Sequence, residues 1–385
     1  MRLFPVLRTH LFAIGALLLV SHAATATLPE DRAGAIEKLV SGKMSAAGIP
    51  GLSIAVVVEG ELAWSRGYGL ADLENFVPAT PHTAYRTASI GKPMTATAIL
   101  QLVEEGRLDL DVPVQRYCPT FPRKRWPITT RNLLQHTSGI RHYGGPRNDE
   151  EIFNTRHYDS VVEALQIFQD DPLDFEPGTR HHYSTFGYDV LGGVIEGVTG
   201  RSYLDYMREH IFAAAGMQDT RDDDPSAIIP HRAAGYLRTP EGTLHNSRKV
   251  DMSSKLPAGG FITTVEDLAR FAIAVMAHRL VSEVTLERMR TPTVLPGGEV
   301  ISYGLGWAVF APGDLWYGER EMFHGGGTPG VSGMLYLLPE RGFAVAILTN
   351  LEDVPGRLEL VAEISRLVLD LGHEGSDVPE GRDGG

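Results

Sequence analysis

A single cysteine, Cys118, occurs in 385 residues. One thiol excludes an intramolecular disulfide framework and any zinc site built on several cysteines. Cys118 stands between Tyr117 and Pro119 with no histidine close by, so it reads as a small buried residue and not as a reactive thiol. Positive charge is also scarce: 35 Lys and Arg face 48 Asp and Glu, a formal net charge of -13. Such a balance speaks against a basic nucleic-acid surface. No Gly-x-Gly-x-x-Gly or Walker pattern opens a helix after a strand, so no nucleotide site is expected. His-Glu-x-x-His and Cys-x-x-Cys are missing too. Adjacent side chains such as His181 and His182 point in divergent directions, so neither a metal nor a cofactor is expected. There is no internal repeat.

The one long apolar run, Leu11 to Val20, is too short to span a bilayer comfortably. With Arg2 and Arg8 before it and Ala24-Thr25-Ala26 after it, residues 1–26 read as a secretory signal peptide. No cysteine follows the run, which argues against lipid attachment. Cleavage removes two arginines and no acid, taking the formal charge from -13 to -15. The mature protein is expected to be secreted or periplasmic and free of the membrane. Residues 372–385 are polar and glycine-containing and read as a disordered tail.

Between these ends the chain is long enough for one large two-lobed domain. Residues 31–47 carry a helical apolar stripe ended by Gly48-Ile49-Pro50-Gly51. Residues 52–58 are β-branched and lead through Glu59-Gly60 into a second strand, 61–68. A helix laid on an antiparallel hairpin begins an α+β fold. Short helices are expected near 129–136, 158–168, 187–199 and 202–213, strands at 303–309, 332–338 and 343–349, and a last helix at 356–370. The spacing predicts one domain over 27–371, with an α/β lobe of about 30–111 and 231–371 and a mostly helical lobe of about 112–230.

Three elements carry candidate chemistry. The first is Thr87-Ala88-Ser89-Ile90-Gly91-Lys92. Ser89 and Lys92 lie three residues apart, which on a helix puts both side chains on one face. A serine needs a base within hydrogen-bond reach, and a lysine serves if burial or a neighbouring cation lowers its pKa. The helix start also aims backbone N–H groups at a developing oxyanion. Alone the pair is weak, since Ser89 could simply cap the helix. The second element is Tyr183-Ser184-Thr185, where a tyrosine near a cationic lysine is expected to have a lowered pKa and to shuttle protons; the bland alternative is a structural loop tyrosine. The third is His324-Gly325-Gly326-Gly327-Thr328-Pro329-Gly330, whose glycines permit close approach of backbone to a ligand; the alternative is a turn with a solvated histidine.

With all three in order, the chain resembles the serine β-lactamase-related superfamily, which includes class C β-lactamases, D-alanyl-D-alanine carboxypeptidases, D-aminopeptidases and family VIII esterases. Gly48-Ile49-Pro50-Gly51, Leu108-Asp109-Leu110-Asp111, Leu134-Gln135-His136-Thr137-Ser138-Gly139, Ala258-Gly259-Gly260 and Tyr303-Gly304-Leu305-Gly306-Trp307 are further landmarks in the expected order, so the likeness covers most of residues 35–370. It implies a β-lactamase/transpeptidase-like fold, an antiparallel sheet flanked by helices plus the helical lobe. It implies Ser89 as nucleophile, Lys92 and Tyr183 as proton-transfer groups, and the Ser89 and Gly327 N–H groups as oxyanion donors. Gly326, Thr185 and His324 fall at oxyanion or substrate-binding positions, with His324 near a substrate carboxylate.

Two positions depart from the pattern. The second motif usually reads Tyr-x-Asn and here ends in Thr185, which lacks the amide's two N–H donors; a Tyr-Ser-Thr variant is similar to that of the mitochondrial lactamase-like proteases. The third motif starts with His324 where many members have lysine, a weaker carboxylate anchor near pH 7. Both favour an esterase or D-amino-acid peptidase over an efficient β-lactamase. The expected partner is a small-molecule or peptide acyl substrate, and nothing specifies an oligomeric state. A non-catalytic penicillin-binding, sensor or scaffold protein on the same fold is the competing reading; the presence of every reactive group favours catalysis. The loops around 112–160 and 230–257 are expected to set selectivity.

Overall fold

Alternation along the strands sets the architecture. In a computed structural model, which describes residues 27–144, 147–310 and 319–371, β1 (Gly51–Val58) turns Leu52, Ile54 and Val56 to one core and Ala55 and Val57 to another. Both sets are buried, the pattern of a strand covered on two faces. Six further strands join it: β2 (Glu61–Asp72), β3 (Val77–Pro78), β4 (Ala308–Val309), β5 (Met322–Thr328), β6 (Val331–Leu338) and β7 (Phe343–Thr349). They form an antiparallel sheet in the order β4-β5-β6-β7-β1-β2-β3. The hairpin joining β1 and β2 turns through Glu59 and Gly60, both at positive φ (52° and 77°), as a tight two-residue hairpin turn requires.

On the face carrying Leu52, Ile54 and Val56 lie α1 (Glu30–Ala47), through Ile36 and Val40, and the C-terminal α5 (Arg357–Leu369), through Leu358, Val361 and Ile364. Gly48, at φ 61°, ends α1 by donating its N–H to the Met44 carbonyl. The opposite face carries smaller side chains, Ala55, Ala344 and Ala346, and packs against α4 (Val265–Met276), itself lined with Ala269 and Ala272. Small residues on both sides let helix and sheet approach closely. Behind them runs α2 (Gly91–Glu104), buried from Gly91 through Leu100. A helix buried on every side belongs inside a large core, here with Lys92, Thr95 and Thr97 among its enclosed residues.

Residues 112–230 hold short helices, Thr130–Leu134, Asn148–Ile152, Val161–Ala164 and Tyr203–Met207, around one longer helix, α3 (Thr185–Thr199). Helix α3 starts at Ser184, whose Oγ accepts from Gly187 N–H, and stops at Gly200, φ 70°. The strand expected at 303–309 shrinks to Ala308–Val309, because Gly306 adopts φ 88° and Trp307 turns into the core as a fully buried ring. The glycine-rich segment from His324 lies in strand β5, whereas helix α4 was not separated from its surroundings by sequence pattern. Thr264, which caps α4 by accepting from Asp267 N–H, was the available signal. Residues 1–26, expected to be a signal peptide, and 372–385, expected to be a tail, lie outside the described residues. No described helix is long and apolar enough to cross a membrane.

Candidate active site

Ser89 sits on a one-turn helix, Ala88–Ile90, that runs directly into α2. Ala88 adopts φ 46°, a left-handed conformation disfavoured for a residue with a Cβ, so the turn is held by its surroundings. Two glycines make room for it. A Cβ at Gly259, itself at φ 140°, would lie 1.8 Å from the Ala88 carbonyl oxygen, and one at Gly326 would lie 2.7 Å from that of Thr87. The chain thus clamps the serine turn between the Ala258-Gly259-Gly260 segment and strand β5. Ser89 does not cap the helix with its side chain. Its Oγ accepts hydrogen bonds from Lys92 Nζ at 2.9 Å and from Tyr183 Oη at 2.8 Å.

Lys92 is fully buried, and its Nζ also donates to the Ala258 carbonyl at 3.1 Å. Burial depresses its pKa to about 7; Asp189 opposes the fall and Lys255 adds to it. At that value a large fraction of Lys92 is neutral near pH 7 and able to accept a proton. Tyr183 behaves otherwise than its sequence context suggested. Burial raises its pKa well above the ordinary phenol value, only partly offset by the bond to Ser89. Its burial makes it a neutral donor and not a poised phenolate. The Lys92 ammonium nitrogen lies 4.9 Å from the Tyr183 ring centre.

Tyr183 is held from both sides by His136. The His182 N–H donates to the His136 carbonyl (2.8 Å), the Ser184 N–H donates to His136 Nδ1 (3.1 Å), and the two rings pack 4.2 Å apart. His136 is buried, and burial pushes its pKa well down.

A cavity of about 200 Å³ opens over Ser89, with Lys92, Thr185 and Gly327 among its walls. Thr185 is the first residue of α3, and its N–H donates to His142 Nδ1 at 3.2 Å. Gly327 borders the cavity while Gly326 packs behind it, its carbonyl accepting from Arg357 Nη1 at 2.8 Å. His324 lies elsewhere. Its ring is 1% exposed, borders a second cavity beyond Tyr183, and is neutral, with burial lowering its pKa to about 3. Nδ1 bonds the neighbouring Gly325 carbonyl (2.6 Å), which leaves Nε2 to accept from Tyr303 Oη at 3.0 Å. Both ring nitrogens are engaged internally, so this ring is no cationic anchor.

Two buried ionisable groups at the site escaped the sequence reading. Lys255 borders the Ser89 cavity, donates to the carbonyls of Ile152 (2.9 Å) and Glu151 (3.3 Å), and has its pKa lowered to about 8, chiefly by burial. Asp189, on α3, is 1% exposed; burial raises its carboxyl well above the ordinary range against the pull of Lys92 and Lys255. An isolated acid within the apolar run Phe186-Gly187-Tyr188-Asp189-Val190-Leu191 was the legible clue, since acids are rarely buried without a reason. No group of described His, Cys, Asp and Glu residues is arranged to hold a metal ion. Cys118 is buried, with its thiol pKa raised by burial.

Fold and site geometry together describe a β-lactamase/transpeptidase-like protein. Residues 36–368 match the Beta-lactamase family, and the chain belongs to it. It is 31% identical over 407 residues to the serine beta-lactamase-like protein LACTB, mitochondrial, of Homo sapiens, a match covering 80% of this chain and 74% of that one. Among solved structures, the octameric penicillin-binding protein homologue from Pyrococcus abyssi aligns with a TM-score of 0.75 at 28% identity, over 89% of this chain and 78% of that one. The D-amino acid amidase from Ochrobactrum anthropi SV3, complexed with D-phenylalanine, aligns with a TM-score of 0.75 at 26% identity, over 89% and 99% of the two chains.

Proposed function

We propose that this protein is a serine hydrolase that cleaves an ester or amide bond through an acyl-enzyme on Ser89. The observation that carries the proposal is the convergence of Lys92 Nζ and Tyr183 Oη on one serine oxygen, at 2.9 and 2.8 Å. In its neutral form Lys92 takes the Ser89 proton as Oγ bonds to the acyl carbon. The Ser89 and Gly327 N–H groups receive the oxyanion. As the tetrahedral centre collapses, the bond to the leaving oxygen or nitrogen breaks and Tyr183 gives that atom its proton. The phenolate recovers a proton from the Lys92 ammonium. Water then enters by the same route and releases the acid. No metal or cofactor takes part in this scheme. The N-terminal residues support export to the periplasm or exterior, where a small acyl compound or peptide would be met.

The test is intact-mass spectrometry with a fluorophosphonate, a penicillin and a p-nitrophenyl ester, run on the wild type and Ser89→Ala. A Ser89-dependent adduct with ester turnover is expected. A stable adduct without turnover of any acyl substrate would instead identify a binder or sensor. Lys92→Ala and Tyr183→Phe are expected to lower kcat by about 10³-fold or more while melting like the wild type. Near-normal turnover in either would move the proton-transfer role elsewhere.

A further inference from the structure

Beyond Tyr183 lies the second cavity, about 570 Å³, which adjoins the space over Ser89 at their shared wall His142. Its apolar walls include Val300, Ile301, Val309, Phe310 and Phe323. Its polar walls are His142, His181, His182, Tyr183, Ser302, Tyr303 and His324; among the described residues, no lysine, arginine, aspartate or glutamate lines it. Two imidazoles of this wall already bond to neighbouring groups of the protein. His324 is bonded through both nitrogens, and His142 Nδ1 accepts from the Thr185 N–H. An anion entering here would leave water without meeting a cation, a costly transfer.

The place of this cavity in the reaction follows from the proton path. The atom that departs from the acyl carbon takes its proton from Tyr183, so the departing group lies on the Tyr183 side of Ser89. The acyl part then occupies the space bordered by Gly327, Thr185 and Lys255. We infer that the cavity beyond Tyr183 is the leaving-group subsite, and that it takes an uncharged apolar alcohol or amine and not an amino acid with a free carboxylate. This rests on the Ser89 hydrolase reading and narrows it. An ester, or an amide of an apolar amine, fits the subsite; carboxypeptidase action, whose leaving group bears a carboxylate, does not. His182 is the exposed histidine on the rim, at the solvent side of the cavity.

The experiment compares substrates that share one acyl group. Phenyl acetate and meta-carboxyphenyl acetate have leaving phenols of similar basicity, the first uncharged and the second bearing a carboxylate. The wild type is expected to prefer phenyl acetate in kcat/KM by about tenfold or more. Naphthyl acetate is expected to outpace phenyl acetate after correction for alkaline reactivity. Ala308→Phe, which narrows the cavity, is expected to lower the naphthyl-to-phenyl ratio by about tenfold. Equal or better cleavage of the carboxylated ester would overturn the inference even in an active enzyme, as would a naphthyl-to-phenyl ratio indifferent to Ala308→Phe in a folded variant. Failure of every ester together with absence of a Ser89 adduct would overturn the hydrolase reading itself.

Discussion

Lys92 shows how far burial alone can change a side chain. An ammonium on a flexible stem ordinarily stays charged to pH 10 and above; enclosed beneath Ser89, its pKa falls to about 7. The sign of the resulting pH dependence is definite. Protonated Lys92 cannot accept the serine proton, so kcat/KM should rise through about pH 7 as that proton is lost. His142 and His324 are both lowered to about 3 and stay neutral throughout that range, so neither adds an inflection. Lys255 pushes the Lys92 pKa down, and Lys255→Met should therefore move the acid limb to higher pH. A pH profile of the two proteins checks this, and an unmoved limb would show that Lys255 serves only to hold Ile152 and Glu151.

At the scale of elements, the serine turn is kept strained by what packs against it. The resemblance of Ala258-Gly259-Gly260 to a family landmark acquires a physical cause here: a side chain at Gly259 collides with Ala88 and would need φ 140°. Gly259→Ala should destabilise the protein by about 1–3 kcal/mol and slow adduct formation at Ser89 out of proportion to the change in melting temperature. Equal fluorophosphonate labelling rates would mean that the turn relaxes without loss. The same scale explains why the third motif was only partly legible. Its glycines pointed to close backbone approach, and β5 does approach the serine turn. That the His324 ring turns to Tyr303 and away from the Ser89 cavity depends on a hydrogen-bond partner 21 residues upstream.

For the whole molecule, the N- and C-terminal portions make one sheet. Strand β1 pairs with β7, from Leu52 opposite Thr349 to Val57 opposite Ala344. Asn350 fastens the junction, accepting from the Gly51 N–H (2.7 Å) and donating to the carbonyls of Leu70 (3.0 Å) and Ala71 (3.3 Å). Asn350→Ala leaves three backbone groups without that partner and should cost about 2–4 kcal/mol in urea unfolding. A loss under about 0.5 kcal/mol, the range of ordinary surface substitutions, would mean that water replaces the amide.

Local sequence determined the elements whose signals are themselves local. The β-branched strand 52–58, the apolar strand 343–349, the αL stop at Gly48 and the one-turn spacing of Ser89 and Lys92 depend on neighbours a few residues away. The order of motifs was enough for the family. Tertiary structure decided what depends on burial and on distant partners. Tyr183 reaches Ser89 from 94 residues away, Lys255 and Asp189 reach the site from other elements, and enclosure reverses the expected shift of Tyr183 while lowering the pKa of Lys92 and His324. Desolvation is a property of the assembled interior, and a linear pattern of residues carries no measure of it.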